Sequence, residues 1–354
     1  MQIDYLIIGQ GICGTFLSWE LQKANLSFLV IDEPRPFTAS KIASGIINPV
    51  TGRRMVKTWM IDELMPFAWN AYKNLGSQLA IDGIAEQEVI DFFPTPQMRL
   101  SFSNRLQEDQ QYLSLKEHTT DWKTYLNFDF GYGIIHPCFL VNLAVLLHRY
   151  RKQLMDYNQL REECFEPSYL KLQEKGIRYK DIDAGKIILC DGINSFRTPF
   201  FKNLPFAPNK GEALIVEIND FPANAILKKG LNVVPWKDNL FWVGSSHEWK
   251  YEDDQPTAYF RTKTLDYLKL FIKAPIRLQD HWSAVRPATL ERRPFIGFHP
   301  VFPNLGIFNG MGTKGCSLAP FFASHLVQHL TLQTPILPEA GIERFKRILA
   351  RTDV

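Results

Sequence analysis

Residues 3–33 constrain the fold more than any other stretch. An apolar run, Ile3-Asp4-Tyr5-Leu6-Ile7-Ile8, leads into Gly9-Gln10-Gly11-Ile12-Cys13-Gly14. A helical pattern follows, then a second apolar run, Phe28-Leu29-Val30-Ile31, that ends on Asp32 and Glu33. Strand, glycine turn, helix, strand and acid, in that order, make a dinucleotide-binding βαβ unit. Each part has a physical task. Gly9 permits the tight turn, Gly11 lets backbone approach a pyrophosphate, and Gly14 lets the helix lie close to the strand. The free N–H groups and positive dipole end of the helix, around Ile12 and Cys13, face the phosphates. Asp32 is placed to accept hydrogen bonds from a ribose hydroxyl. The plain alternative is a tight strand–helix turn with no ligand. The two flanking strands and the acid about twenty residues on argue against it.

A chain of 354 residues has room for two domains. Its net charge of +3 points neither to nucleic acid nor to a membrane surface. The five cysteines, Cys13, Cys138, Cys164, Cys190 and Cys316, are scattered and include no CxxC pair. That pattern suits reduced thiols in a cytoplasm and suggests no structural metal. A first strand beginning at residue 2 or 3 leaves no expectation of a leader peptide, and no run of about 18 apolar residues occurs. The expected location is therefore cytoplasmic.

Further along, Met60 to Leu79 has helical periodicity. Val89 to Ser103 alternates like strands broken by Pro94 and Pro96, and Pro137 is expected to open a helix through Tyr150. Lys186–Cys190 reads as a buried strand ending on Asp191-Gly192. Ala213–Ile218 and Asn239–Gly244 have the alternation and hairpin-like spacing of an antiparallel sheet. Gly306–Gly310 is another strand and turn, and Gly312-Thr313-Lys314-Gly315 leads into a helix from Ser317 to Leu330. Two glycine-rich strand-to-helix turns, far apart in sequence, gather on one edge of a parallel sheet.

These residues resemble the FAD-dependent D-amino acid oxidase superfamily, with glycine and sarcosine oxidases as relatives. Four stretches carry the resemblance: Gly9 to Asp32, Ser40 to Gly45, Ile187 to Gly192, and Val285-Arg286-Pro287-Ala288-Thr289 through Pro294–Gly297 to Gly312–Pro320. Cys190-Asp191-Gly192 departs from the family's Ala-Thr-Gly. The fold implied is α/β: a Rossmann-like FAD-binding domain with a parallel sheet, interleaved with an α+β substrate domain on an antiparallel sheet. Residues 1–80, 131–205 and 283–354 would form the first, and 81–130 and 206–282 the second. The cofactor implied is FAD, held non-covalently, since nothing matches the cysteine that tethers flavin in sarcosine oxidases. The segment Ser40, Lys41, Ala43, Ser44 and Gly45 would run along the pyrophosphate and flavin, with Glu33, Asp191, Gly192, Gly312, Thr313 and Gly315 also contacting FAD.

Oxidising an amine at a flavin transfers a hydride equivalent from the α-carbon to N5, and negative charge builds at N1 and O2. The start of the Ser317 helix and Lys314 suit that charge; the alternative for Lys314 is a solvated loop lysine. The resemblance makes Arg286 the grip on a substrate carboxylate, through two parallel hydrogen bonds. Arg53, Arg54 and Lys57 either face an anion or form a solvated surface. His247 and Glu248 are substrate-side candidates beside the alternative of structural roles. No metal-ligand spacing is present. The expected activity is oxidation of the C–N bond of a small amino acid or N-substituted glycine to an imine, with dioxygen or another acceptor reoxidising the flavin. Three rivals are an oxidase of an N-carboxymethylaminomethyl group on a tRNA base, a flavin-binding protein without turnover, and a nicotinamide dehydrogenase. The Val285–Pro320 block argues against the last.

Overall fold

The computed structural model describes residues 1–351. The described residues build two large sheets, of eight and nine strands. In the first, the strand Gln2–Ile8 lies between Phe28–Ile31 and Ile182–Leu189, parallel to both. Leu305–Asn309 continues the parallel set beside Ile182–Leu189. All four residues of Phe28–Ile31 are buried, as expected of a central parallel strand covered on both faces. The two glycine turns therefore leave parallel strands of one sheet at the same edge, with Ile182–Leu189 between them. A methyl group on Gly315 would lie 3.3 Å from Ile12 Cγ2, so the helices Ile12–Lys23 and Gly315–Leu332 start side by side.

The second sheet is mostly antiparallel. Its order is Arg277–Arg286, Asn209–Glu217, Leu240–Gly244, Leu231–Lys237, Ile226–Lys229, Ile84–Phe92, Tyr132–Val141 and Ile46–Ile47. Side chains alternate across it, with the period of two that a strand imposes. Leu214, Val216, Val233, Phe241 and Val243 pack in one cluster with Phe260 and Leu268 of the helix Ala258–Phe271. Ala213, Ile215, Ile226, Val234 and Trp242 join the main core on the opposite face. Residues of that second face turn toward the first sheet and the glycine turns.

Three local readings need correction. Pro96–Glu108 is a helix, not a strand: the Thr95 side chain accepts a hydrogen bond from the Met98 amide at its start, and Pro96 occupies the first turn, where its missing N–H costs nothing. Pro137 opens no helix. It lies within the strand Tyr132–Val141, where the pairing with Ile84–Phe92 shifts register between Gln87 and Val89, a break that accommodates a residue with no N–H to donate. The helix starts only at Leu143. Finally, Asn209–Glu217 and Leu240–Gly244 do pair antiparallel, but two further strands lie between them in sequence. Tyr132–Val141 also belongs to the second sheet, although the division at residue 131 placed it with the nucleotide layer.

Candidate active site and cofactor cradle

Between the sheets runs a cavity of about 710 Å3. Gly9, Gly11, Ile12, Cys13, Asp32, Glu33, Ser40, Lys41, Ala43 and Ser44 line it on one side, with Asp191 and Gly192. Gly312, Thr313, Lys314, Gly315, Arg286 and His247 line it on the other.

The glycine turn is built as its spacing predicts. Gly9 has φ +99°, and a Cβ there would meet the Cys190 carbonyl oxygen at 2.7 Å. A Cβ on Gly14 would sit 1.8 Å from the Gly9 carbonyl oxygen, so any larger residue would push the helix off the turn. The Ile12 amide donates to Ser40 Oγ at 3.1 Å, which ties the second predicted segment to the first. The amides of Gly11 and Cys13 make no hydrogen bond within the described chain. Unpartnered N–H groups at a helix N-terminus fit an anionic group such as a pyrophosphate. Asp32 Oδ1 accepts from the Gln10 amide at 2.8 Å, and its Oδ2 lies 2.5 Å from Arg151 Nη1. Gly45 does not line the cavity. A Cβ there would lie 2.0 Å from the Val141 carbonyl oxygen, so this glycine serves strand packing.

At the opposite end, Arg286 ends an edge strand of the second sheet. Its guanidinium lies over Gly211: a Cβ on Gly211 would be 1.8 Å from Nη2. Nη1 donates to Asn209 Oδ1 at 2.8 Å and to the Ser246 carbonyl at 3.2 Å. Both acceptors are neutral, and no carboxylate pairs with Arg286 among the described residues. Burial lowers its pKa to about 10. The Lys314 ammonium has one hydrogen bond among the described residues, to Thr58 Oγ1 at 3.4 Å. Its pKa falls to about 8, chiefly through burial and secondarily through the charge of Lys228.

His247 stands at the rim, with Nδ1 3.2 Å from Asn209 Oδ1, and burial together with the Arg286 charge lowers its pKa. Glu248 bridges to Lys210 through its backbone and does not line the cavity. Arg53 and Arg54 are exposed in the turn between Val50–Thr51 and Val56–Lys57 and do not line the cavity, although Thr51 and Gly52 beside them do. Lys57 pairs with Asp62 at 2.7 Å. Of the two readings of this cluster, the solvated surface fits.

Sequence reasoning missed an ion pair between a partly buried lysine of the cavity lining and a buried acid behind it. Lys228 Nζ lies 2.7 Å from Asp91 Oδ2, and Lys228 lines the cavity. Each residue pairs directly with the other across neighbouring strands. Their alternation with Ile226 and Val89, both in the main core, was the available signal.

A model of the FAD dependent oxidoreductase family (DAO) matches residues 4–329. The chain belongs to that family. FAD is the family's cofactor, and the unpartnered amides at the glycine turn and the cavity leading from them to Lys314 fit it. Curated glycine oxidases are similar to this chain. The one from Bacillus subtilis is 24% identical over 345 residues, covering 90% of each chain. The one from Pseudomonas aeruginosa is 29% identical over 167 residues, 45% of each chain. The chain thus spans about half the length of the Pseudomonas relatives it matches, at 45% and 52%. Among solved structures, a glycine oxidase from Bacillus cereus superposes with a TM-score of 0.80 at 15% identity, covering 94% of this chain and 96% of that one. An iminodiacetate oxidase from Chelativorans gives 0.76 at 19%, covering 96% and 98%. At such identities the structures speak to the fold: a parallel nucleotide sheet joined to a largely antiparallel one. Among the described residues, no helix is long and apolar enough to cross a membrane.

Proposed function

We propose that this flavoprotein oxidises the C–N bond of a small amino or imino acid to the imine, which water then hydrolyses. The observation that carries the reading is Arg286. A desolvated guanidinium with only neutral acceptors is costly unless a ligand brings the missing negative charge. A carboxylate supplies it in the two-point geometry that a guanidinium recognises. Gly211 leaves the space the guanidinium occupies, and Asn209 fixes one edge of the fork.

FAD, when bound, supplies a two-electron acceptor. The protein's own residues do the rest. Arg286 orients the substrate by its carboxylate, so that the α-hydrogen is presented in one direction. Lys314 and the start of the Gly315–Leu332 helix offer positive charge for the anion that two-electron reduction leaves. The lowered pKa of His247 keeps its ring neutral near pH 7, where it adds no charge to compete with Arg286 for the carboxylate. Burial holds the thiols of Cys13 and Cys316 near 12, which supports non-covalent FAD. Glycine oxidases and an iminodiacetate oxidase among the relatives agree with a carboxylate-bearing substrate. Dioxygen or another acceptor would take the electrons onward.

The test is anaerobic mixing of holoprotein with a panel of amino acids, N-substituted glycines and uncharged amines. Bleaching of the flavin absorbance by members of the first two classes is expected. Bleaching by the amines alone would overturn the substrate class, and no bleaching at all would favour a flavin-binding protein without turnover.

A further inference from the structure

The middle residue of the glycine turn has no place in the nucleotide motif, yet it is buried and fully engaged. Gln10 Nε2 donates to Thr15 Oγ1 at 2.9 Å and to the Leu147 carbonyl at 3.3 Å. Its Oε1 accepts from Arg151 Nη1 at 3.3 Å. Leu147 and Arg151 are four residues apart on the helix Leu143–Asp156, on one face with Tyr150, whose hydroxyl lies 3.1 Å from Ser18 Oγ. One helix face thus grips both the turn and the helix that follows it.

Arg151 extends the grip to the ribose acid. Nη1 meets Asp32 Oδ2 at 2.5 Å, and Nη2 meets the Asp32 carbonyl at 3.3 Å. The guanidinium is held in turn by Glu162, whose Oε1 accepts from Nε at 3.1 Å and from Nη2 at 2.8 Å. Asp32 also accepts from the Gln10 amide on its other oxygen. One bond on each oxygen fixes the carboxylate plane and leaves a lone pair on each for a further donor. Asp32 and Gln10 line the cavity, whereas Arg151 does not. Its side chain is 12% exposed against 20% for Asp32, so it stands behind the acid.

We infer that Arg151, held by Glu162 and Gln10, is a positioning residue for the adenosine half of FAD: it presets the Asp32 carboxylate to receive the ribose hydroxyls. The inference rests on the FAD reading of the cavity. Arg151 makes no cofactor contact of its own; it removes the rotational freedom that Asp32 would otherwise lose on binding. Two further titratable side chains face this group: Lys41, whose pKa is lowered mainly by burial, and Asp191, whose pKa burial raises and the Asp32 charge raises further.

The experiment measures FAD and FMN affinity of apoprotein by flavin fluorescence, since FMN lacks the adenosine half. Arg151→Met should weaken FAD roughly tenfold or more while leaving FMN unchanged. Arg151→Lys, which keeps the charge and loses the fork, should recover part of the loss. Asp32→Ala should weaken FAD with FMN unchanged, and adding Arg151→Met to it should cost little more, because the two act as a unit. Circular dichroism of each apoprotein checks folding. Equal loss of FAD and FMN affinity in Arg151→Met would mean a general structural role and overturn the inference. So would full additivity with Asp32→Ala. If Asp32→Ala leaves FAD affinity unchanged, the ribose assignment of Asp32 falls as well.

Discussion

At the Asp32 end of the cavity, Arg151 pairs with Asp32 and Glu162, and Arg35 pairs with Glu33 at 2.6 Å. At the other end, Arg286 and Lys314 meet only neutral oxygen atoms, while Lys228 is neutralised by Asp91. The difference follows from what each end holds. A resident dinucleotide brings hydroxyls and a pyrophosphate that backbone amides and one fixed acid can satisfy, so side-chain charge is best balanced beforehand. A substrate that comes and goes has to be recognised by what it alone supplies. Charge left unbalanced in a desolvated site is a strong way to ask for an anion, because it is costly until the anion arrives.

The contrast breaks most visibly at Arg286. Arg286→Lys keeps the charge but cannot offer two parallel donors, so turnover of the best panel substrate should fall about 100-fold, a loss that ~1 Å of misplacement can cause. Benzoate should perturb the flavin spectrum of the wild type and not of the variant. A normal benzoate response in the variant would remove Arg286 from the carboxylate site. Gly211→Ala approaches the same question without touching the arginine. Its Cβ would occupy the place of Nη2, so the guanidinium has to move. We expect KM to rise roughly tenfold with FAD affinity unchanged, which steady-state kinetics and a flavin titration would check. Loss of FAD affinity instead would mean that the two ends are not independent.

The parts legible in the sequence are those encoded locally. Gly9, Gly14, Asp32 and the Gly312–Gly315 turn are fixed by spacing within a few tens of residues, because backbone geometry at a turn has few solutions. What escaped was pairing over long separations. Arg151 is 119 residues from Asp32, and Lys228 is 137 from Asp91. Nothing in composition or periodicity says which arginine or lysine will fold onto which acid. Glu248 and Arg53 show the converse: proximity in sequence to a cavity residue does not turn a side chain into it. The Pro96–Glu108 helix is a different kind of miss, since Thr95-Pro96 carried its start signal and alternation was weighted above it.

Lys314 offers a way to sharpen the comparison. Its ammonium is the second unbalanced charge, and with a pKa near 8 it is present below that pH and lost above it. Sulfite adds to bound flavins as an anion, so its affinity reports on positive charge beside the ring. Lys314→Met should weaken sulfite binding about tenfold at pH 7, the loss of one charge-assisted contact. The wild-type affinity should decline as pH rises through about 8, and the variant should lack that decline. If the two curves coincide, Lys314 does not face the flavin.

Asp191 tests whether the balanced end is as balanced as its ion pairs suggest. It stands beside the glycine turn with no cation paired to it: Ser195 Oγ donates to its Oδ1, and the charges nearest it are Arg35 and Asp32. Burial is the main cause that pushes its pKa up to about 6, above the usual carboxylate range. A carboxyl raised in this way favours the folded state while protonated. That contribution is full below about pH 4 and is lost as pH rises through about 6. Asp191→Asn cannot ionise and keeps an acceptor for Ser195. Apoprotein of the variant should therefore hold its melting temperature between pH 5 and pH 7 where the wild type declines, by on the order of 1 kcal/mol once partial exposure is discounted. The same ionisation sets a negative charge beside the amides that await the pyrophosphate, so wild-type FAD affinity should also drop across this interval and that of the variant should not. Parallel pH profiles for the two proteins would show that Asp191 does not titrate across this interval, and the Asp32 end would then hold no acid whose charge is left uncompensated there.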